Sequence, residues 1–335
     1  MSASNASMSA GPLLGLVGDV GGTNARFALA RRQDGRLTID RPASFRAADY
    51  PTGDDAVSAY LAGLKLEHPP AFAVVAAAGP IEDGAVVFTN NTAWRFSEAD
   101  LAKAGGFKRA RLINDFTAQA LAIPHLQPAD LRGVGEPKAR PERGTAAILG
   151  PGTGFGAGAR VDDGRACATL TGEGGHSGFS PGDETEIEIV RHLIERYGRV
   201  SVERVLSGPG LLNLYQILAD MRGESADCTA PDQITHRALA GDRLCRLALD
   251  RFCAILGSVA GDFALVYGAR AGVYISGGIA PEIVDVLAAS DFRRRFEAKG
   301  RMSDYLKPIA TYVVMQPHTA LIGAASLLDA LGVAG

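Results

Sequence analysis

The sequence is poor in cysteine: Cys167, Cys228, Cys245 and Cys253 are the only four in 335 residues, and none forms a C-x-x-C pair or sits in a His/Cys cluster of zinc spacing. That pattern argues against a disulfide framework or a structural zinc site, and it suits reduced thiols in a cytoplasmic protein. An excess of basic charge is also missing. The net charge of −3 and pI near 6.1 provide no global field to attract nucleic acid or an anionic membrane. The opening MSASNASMSAGP has neither the basic start nor the apolar core of a signal peptide, and residues 1–12 read as a disordered Ser/Ala arm. Long apolar runs are interrupted, as by Asp262 and Arg270 within 253–280, so no membrane span is expected. No G-x-x-x-x-G-K-[ST] occurs, which argues against a P-loop enzyme, and no H-E-x-x-H occurs either.

Glycine, by contrast, is abundant, with 41 residues, and the informative ones follow short apolar runs. GDVGGTN (18–24) follows 13–17, GPGTGFG (150–156) follows 146–149, and SGGIAP (276–281) follows 273–275. A strand ending in a glycine-rich turn lets backbone N–H groups come close to phosphate oxygens. After the first turn, RFALA carries no helical stripe and runs into the turn signal Gln33-Asp34-Gly35, so strand–turn–strand is expected rather than a P-loop or Rossmann helix. The second turn is followed by the same pattern, through Asp162-Asp163-Gly164. Two copies of one device suggest two related halves that share a nucleotide.

Elsewhere the periodicity predicts helices over 54–65, 97–104, 184–197, 210–221, 242–267, 281–288 and 318–331, with Ser97 and Asp242 as caps. Strands are predicted over 71–77, 110–113, 271–275 and 309–315, and a loop-rich stretch over 124–141. This alternation implies α/β layers, and the length suggests about two domains.

Four constellations carry candidate chemistry. Gly21 and Gly22 allow a tight turn, Thr23 and Asn24 are polar, and Asp19 offers a carboxylate to a metal-bound nucleotide. The plainer alternative is a hairpin turn whose Asp and Asn bond local backbone. Asn114 and Asp115 (INDF) follow an apolar run and precede a helix; Asp115 can take a proton from a substrate hydroxyl, or the pair can simply cap that helix. Glu173 and His176 lie on the loop GEGGHSGFSP, where they can bind hydroxyls, act as acid and base, or be solvated charges. Metal ligation is disfavoured there, because only one histidine is local. Glu203, in SVERVLSGPG, reads alone as a surface carboxylate on a short helix capped by Ser201.

Taken together, GDVGGTNARFAL, INDFTAQALAIP, GPGTGFG, GEGGHSGFSP, VSVERVLSGPGLLNLY and SGGIAP resemble the bacterial glucokinases of the hexokinase–actin superfamily, in the group outside the ROK family. The six motifs stand in the family's order and span nearly the whole chain from Leu13 onward. The C-x-C-G zinc motif frequent in the ROK group is missing here, which removes zinc from the expectation.

The resemblance implies a two-domain actin/hexokinase-like (ribonuclease H-like) α/β fold with an interdomain active-site cleft. Residues 13–124 with 317–335 would form a small α/β domain, and 125–316 a large one. It implies ATP-dependent phosphorylation of glucose at the 6-hydroxyl, the first step of glycolysis. Gly18, Asp19, Val20, Gly21, Gly22 and Thr23 would bind ATP phosphates, with Asp19 near the Mg²⁺ of MgATP and no tightly bound metal. Asp115 would be the general base, and Asn114, Asp115, Glu173, His176 and Glu203 would hold the sugar. Gly152, Thr153 and Gly154 would meet the phosphates from the large domain, with Gly277 and Gly278 near the adenosine. A homodimer through the large domain is implied as well. Pro151 departs from a full set of phosphate-facing donors, since it has no N–H. Rival readings are a kinase for another hexose, a sugar sensor without catalysis, and an actin-like filament or chaperone ATPase.

Overall fold

Apolar residues on both faces of the first strand set the architecture of the N-terminal unit. In a computed structural model, which describes residues 11–87, 94–136, 138, 139 and 141–333, β1 (Leu13–Val20) buries Leu16 and Val20 toward one core and Val17 toward another. A strand sends successive side chains to opposite faces, so a strand buried on both reads as a continuous apolar run. The chain divides into two compact units, one ending at Leu126 and resuming at Pro317, the other Gln127–Gln316.

In the first unit β2 (Asn24–Gln33) and β3 (Arg36–Arg46) continue from β1 as an antiparallel meander. Asp34 and Gly35 both take positive φ (50° and 76°) in the turn between them, the conformation a two-residue hairpin demands. β4 (Phe72–Ala77) then pairs parallel to β1. A small antiparallel sheet of β5 (Ile81–Glu82), β6 (Ala85–Val87) and β7 (Arg95–Ser97) precedes β8 (Arg109–Asn114), which lies parallel to β4. The main sheet order is therefore β3-β2-β1-β4-β8.

One face of that sheet packs Phe27, Trp94, Phe96 and Leu101, and the other receives Leu321, Ala324 and Leu328 of the C-terminal helix Thr319–Val333. That helix comes so close to helix Asp115–Ala122 that a Cβ on Gly323 would stand 1.7 Å from the Ala118 carbonyl oxygen. Only glycine fits there, and the contact fixes the helix that begins at Asp115.

The second unit repeats the plan. After β9 (Leu131–Gly133), β10 (Ala146–Pro151), β11 (Phe155–Asp162) and β12 (Cys167–Gly172) form a meander, and β13 (Val273–Ile275) and β14 (Thr311–Val314) follow in parallel. The order β12-β11-β10-β13-β14 reproduces that of the first sheet, with β9 added at the edge. Helices Glu184–Tyr197, Gly208–Arg222, Pro231–Leu239 and the 25-residue Arg243–Tyr267 surround its core.

Several boundaries differ from the sequence-based expectations. The helix expected at 281–288 is two short ones, Ile279–Glu282 and Val284–Ala289, broken where Ile283 takes φ −108° and ψ 16°. The loop-rich 124–141 contributes β9, whose pairing to β14 reaches across most of the unit. Helix Pro231–Leu239 was not expected, because its cap position, Ala230, carries no capping side chain. Of the arm at 1–12, residues 1–10 lie outside the described residues. Gly11 and Pro12 are held at the sheet: Arg31 donates to the Gly11 carbonyl at 3.0 Å and the Arg32 N–H to that of Pro12 at 3.1 Å.

Candidate active site

In the first unit, strand register brings two of the sequence motifs to one sheet edge. Val20 pairs with Ala77 and Ala77 with Asn114, so the ends of β1, β4 and β8 are level. With about 4.8 Å between neighbouring strands, Asn114 lies about 10 Å from the last residue before the first glycine turn. The Gly21 N–H closes that turn on the Asn24 carbonyl at 2.9 Å, and the Ala47 N–H donates to the Thr23 carbonyl at 2.8 Å. Thr23, in the turn, and Asn24, the first residue of β2, are both exposed. Gly18 sits earlier, inside β1, where a Cβ would press on the Phe27 and Val75 side chains at 3.0 Å, so its smallness serves packing.

Asp19 stands opposite Arg26 in the hairpin register, with 3.9 Å between carboxylate and guanidinium. Desolvation pushes the Asp19 carboxyl above the usual carboxylate range, and Arg26 opposes that shift. The side chain nonetheless keeps 30% of its surface exposed, so an incoming cation can reach it. A single carboxylate is a donor suited to magnesium that keeps most of its water shell, and not to a protein cage. Among the described residues no group of three or more His, Cys, Asp or Glu side chains could hold a metal ion. Arg26 was missed in the sequence, although residues equidistant from a hairpin turn face each other. His318, before helix Thr319–Val333, is held below its ordinary pKa by burial and by the charge of Arg26.

Asn114 is the N-cap of helix Asp115–Ala122. Its Oδ1 accepts the N–H groups of Phe116 (2.9 Å) and Thr117 (3.1 Å), and its Nδ2 donates to the Gly79 carbonyl at 3.3 Å. The capping interpretation of INDF thus holds for Asn114. Its amide is locked, and Asp115 follows as the first helical residue, half-buried, with Oδ1 3.0 Å from the Phe116 N–H.

In the second unit four motifs converge. The Gly152 N–H closes the second turn on the Gly154 carbonyl at 2.8 Å, and the Gly152 carbonyl accepts the Gly208 N–H at 2.8 Å. Glu203 Oε2 accepts the Phe155 N–H at 2.9 Å and lies 2.6 Å from where a Cβ on Gly154 would stand. Gly277, at φ +83°, presses against Pro151, whose carbonyl oxygen would be 2.4 Å from an added Cβ. Pro151 has no N–H to offer a ligand, and its carbonyl side is what seats the 276–278 turn. Gly152 and Gly278 face open space, and Thr153 lies between Gly152 and Gly154 in the turn.

Glu173 and His176 bracket a short turn with both side chains exposed. The His176 N–H donates to the Glu173 carbonyl at 3.0 Å, and Arg199 donates to the His176 carbonyl at 2.8 Å. Gly175 leaves no room for a Cβ, because the Phe155 carbonyl oxygen would be 2.1 Å away. That closeness sets the Glu173–His176 turn against the second glycine turn. A bridge from Gly178 to Ser201 adds the segment bearing Glu203.

The family model for glucokinase matches residues 16–331, nearly the whole chain. The chain belongs to the glucokinase family. A glucokinase from Caulobacter sp. (strain K31) is 58% identical over 312 residues, covering 93% of this chain and 94% of its own. Among solved structures, a glucokinase from an Antarctic psychrotroph superposes with a TM-score of 0.84 at 38% identity, covering 94% of this chain and 98% of its own. A ROK-family glucokinase from Streptomyces griseus, solved with glucose and AMPPNP, gives 0.65 at 19% identity over 94% of this chain and 99% of its own, a likeness of fold alone. The fold of this chain is therefore the two-domain, hexokinase-like α/β fold. No helix among the described residues is long and apolar enough to cross a membrane.

Proposed function

We propose that this glucokinase-family chain transfers the γ-phosphoryl group of ATP to the 6-hydroxyl of glucose, with Asp115 as the general base. The supporting observation is the level edge of the first sheet. There a carboxylate at the start of a helix shares the strand ends with a glycine turn able to approach phosphates. Asp115 takes the proton of the sugar hydroxyl as that oxygen attacks phosphorus, while Gly18, Asp19, Val20, Gly21, Gly22 and Thr23 supply the phosphate-binding segment. Asp19 would face the Mg²⁺ of the MgATP substrate, which would supply neutralisation of the phosphate charge.

Asn114, Glu173, His176 and Glu203 are assigned to the sugar hydroxyls, together with Asp115. Donors and acceptors matched to the sugar hydroxyls discriminate against sugars that lack one, because a polar group desolvated by the bound sugar is then left unpaired. Gly152, Thr153 and Gly154 are assigned to the phosphates, and Gly277 and Gly278 to the adenosine side. We also propose a cytoplasmic homodimer that binds neither nucleic acid nor membrane, in keeping with its mild negative charge and reduced-thiol cysteine usage.

A sugar panel in a coupled ADP-release assay tests the substrate. Glucose should give the highest kcat/KM, and a higher value for mannose, fructose or an amino sugar would reassign it.

A further inference from the structure

Helix Gly208–Arg222 ends at left-handed Gly223 (φ +64°), and residues 224–230 then run without helix or strand to Pro231. Within 225–229 every residue is exposed except Cys228, which is 2% exposed and turns inward. Its Sγ lies 3.8 Å from that of Cys245, the third residue of helix Arg243–Tyr267. Two buried sulfurs in contact, one on a strap and one on a helix, differ from the remaining cysteines: Cys167 is exposed on β12, and Cys253 lies inside the helical core.

We propose that Cys228 and Cys245 form a reversible dithiol–disulfide pair, a site of two-electron oxidation by hydroperoxides. Cys228 is the attacking sulfur. Arg237 Nη1 donates to it at 3.6 Å, so charge developing on that sulfur meets a guanidinium, itself held by Asp242. Attack on the peroxide breaks the O–O bond, releases an alcohol or water, and leaves Cys228 as the sulfenic acid. Cys245 is the resolving sulfur. Burial, with the neighbouring Cys228 sulfur and Asp242, pushes its thiol up to about 12, so it remains a thiol until it attacks Cys228. That attack forms the S–S bond and expels the sulfenic oxygen as water. Two thiols lose two hydrogens, and one hydroperoxide is reduced to an alcohol and water.

Closing the pair requires the sulfurs to move from 3.8 Å to the roughly 2.05 Å of a disulfide. The strap can supply that movement, because no ladder holds it. Its Asp227 N–H donates to the Tyr215 hydroxyl at 3.1 Å and its Thr229 N–H to the Gln233 side chain at 2.9 Å. Pro231, just beyond, has its ring 3.3 Å from where a Cβ on Gly208 would stand, and Gly208 donates to the Gly152 carbonyl of the second glycine turn. The oxidised pair therefore bears on that turn, and it changes the KM for ATP. This last step rests on the reading of Gly152–Gly154 as a phosphate segment.

The test is hydrogen peroxide treatment of the full chain, thiol blocking and peptide mapping by mass spectrometry. A cross-linked peptide pair joining Cys228 to Cys245, two hydrogens lighter and cleaved by dithiothreitol, is expected. Oxidation confined to Cys167, or a sulfinic acid at Cys228 beside an unmodified Cys245, would overturn the pair. The map requires no kinase activity, so it stands apart from the functional reading and from the folding of any variant. In kinetics, oxidation should change the KM for ATP at least twofold in the wild type and not in Cys245→Ala. A cross-link with unchanged KM would overturn the coupling.

Discussion

The carboxylate of Glu203 accepts the backbone N–H of Phe155 at 2.9 Å, joining the segment after one helix to a glycine turn 48 residues earlier. A carboxylate has lone pairs to spare, so one oxygen can hold the turn while the other meets a sugar hydroxyl. The assignment of Glu203 to the sugar thus acquires a second component: the same side chain shapes the turn assigned to ATP.

Two substitutions separate these components. Glu203→Gln keeps an acceptor for the Phe155 N–H, so it should raise the KM for glucose about tenfold or more with Tm nearly unchanged. Glu203→Ala removes the acceptor as well, and should also raise the KM for ATP and lower Tm. Equal effects of both variants on every parameter, measured by steady-state kinetics and calorimetry, would contradict the shared role.

Asn114 gives a stability prediction. Loss of an N-cap typically destabilises by about 1 kcal/mol, so Asn114→Ala should lower Tm by about 2–4 °C in a unit of this size. Asn114→Asp retains a capping oxygen and should recover most of that loss. Thermal unfolding of the two variants decides it, and an unchanged Tm for the alanine variant would discard the capping account.

Asp54 gives a pH prediction. It lies at the start of helix Gly53–Leu64 with one carboxyl oxygen buried and without a hydrogen-bond partner. Burial first, then Asp100 and Asp55, push its carboxyl from 3.8 up to about 6. Between those values the folded chain holds a proton that the unfolded chain has released, so this group favours folding at low pH and loses that contribution as pH rises through 6. The Tm of Asp54→Asn relative to wild type should therefore climb between about pH 4 and about pH 6.5 and level off above about pH 7. A difference that stays flat would rule out the shifted carboxyl.

Much of this fold was readable where a local rule acts alone. Ser97 and Asp242 cap the helices they were expected to start, and the Asp34-Gly35 turn closes the hairpin that separates this fold from a P-loop. Helix Pro231–Leu239 escaped because it begins without a capping side chain, and the 281–288 helix broke at Ile283 with no proline or glycine at that position or after it in the stretch.

The site divides in the same way. Asn114 as a cap follows from its position, whereas the tie from Glu203 to Phe155 and the seating of Gly277 on Pro151 depend on chain segments far apart in sequence. Ordered motifs carried the family, but such motifs carry no distances.

The most direct test compares ADP release with and without saturating glucose, in the wild type and in Asp115→Asn, alongside calorimetric glucose binding. ADP release should depend on glucose in the wild type and fall at least 10²–10⁴-fold, on the order expected for a lost general base, in a variant that still binds the sugar. Near-normal turnover by Asp115→Asn, or wild-type ATP hydrolysis indifferent to glucose, would contradict it.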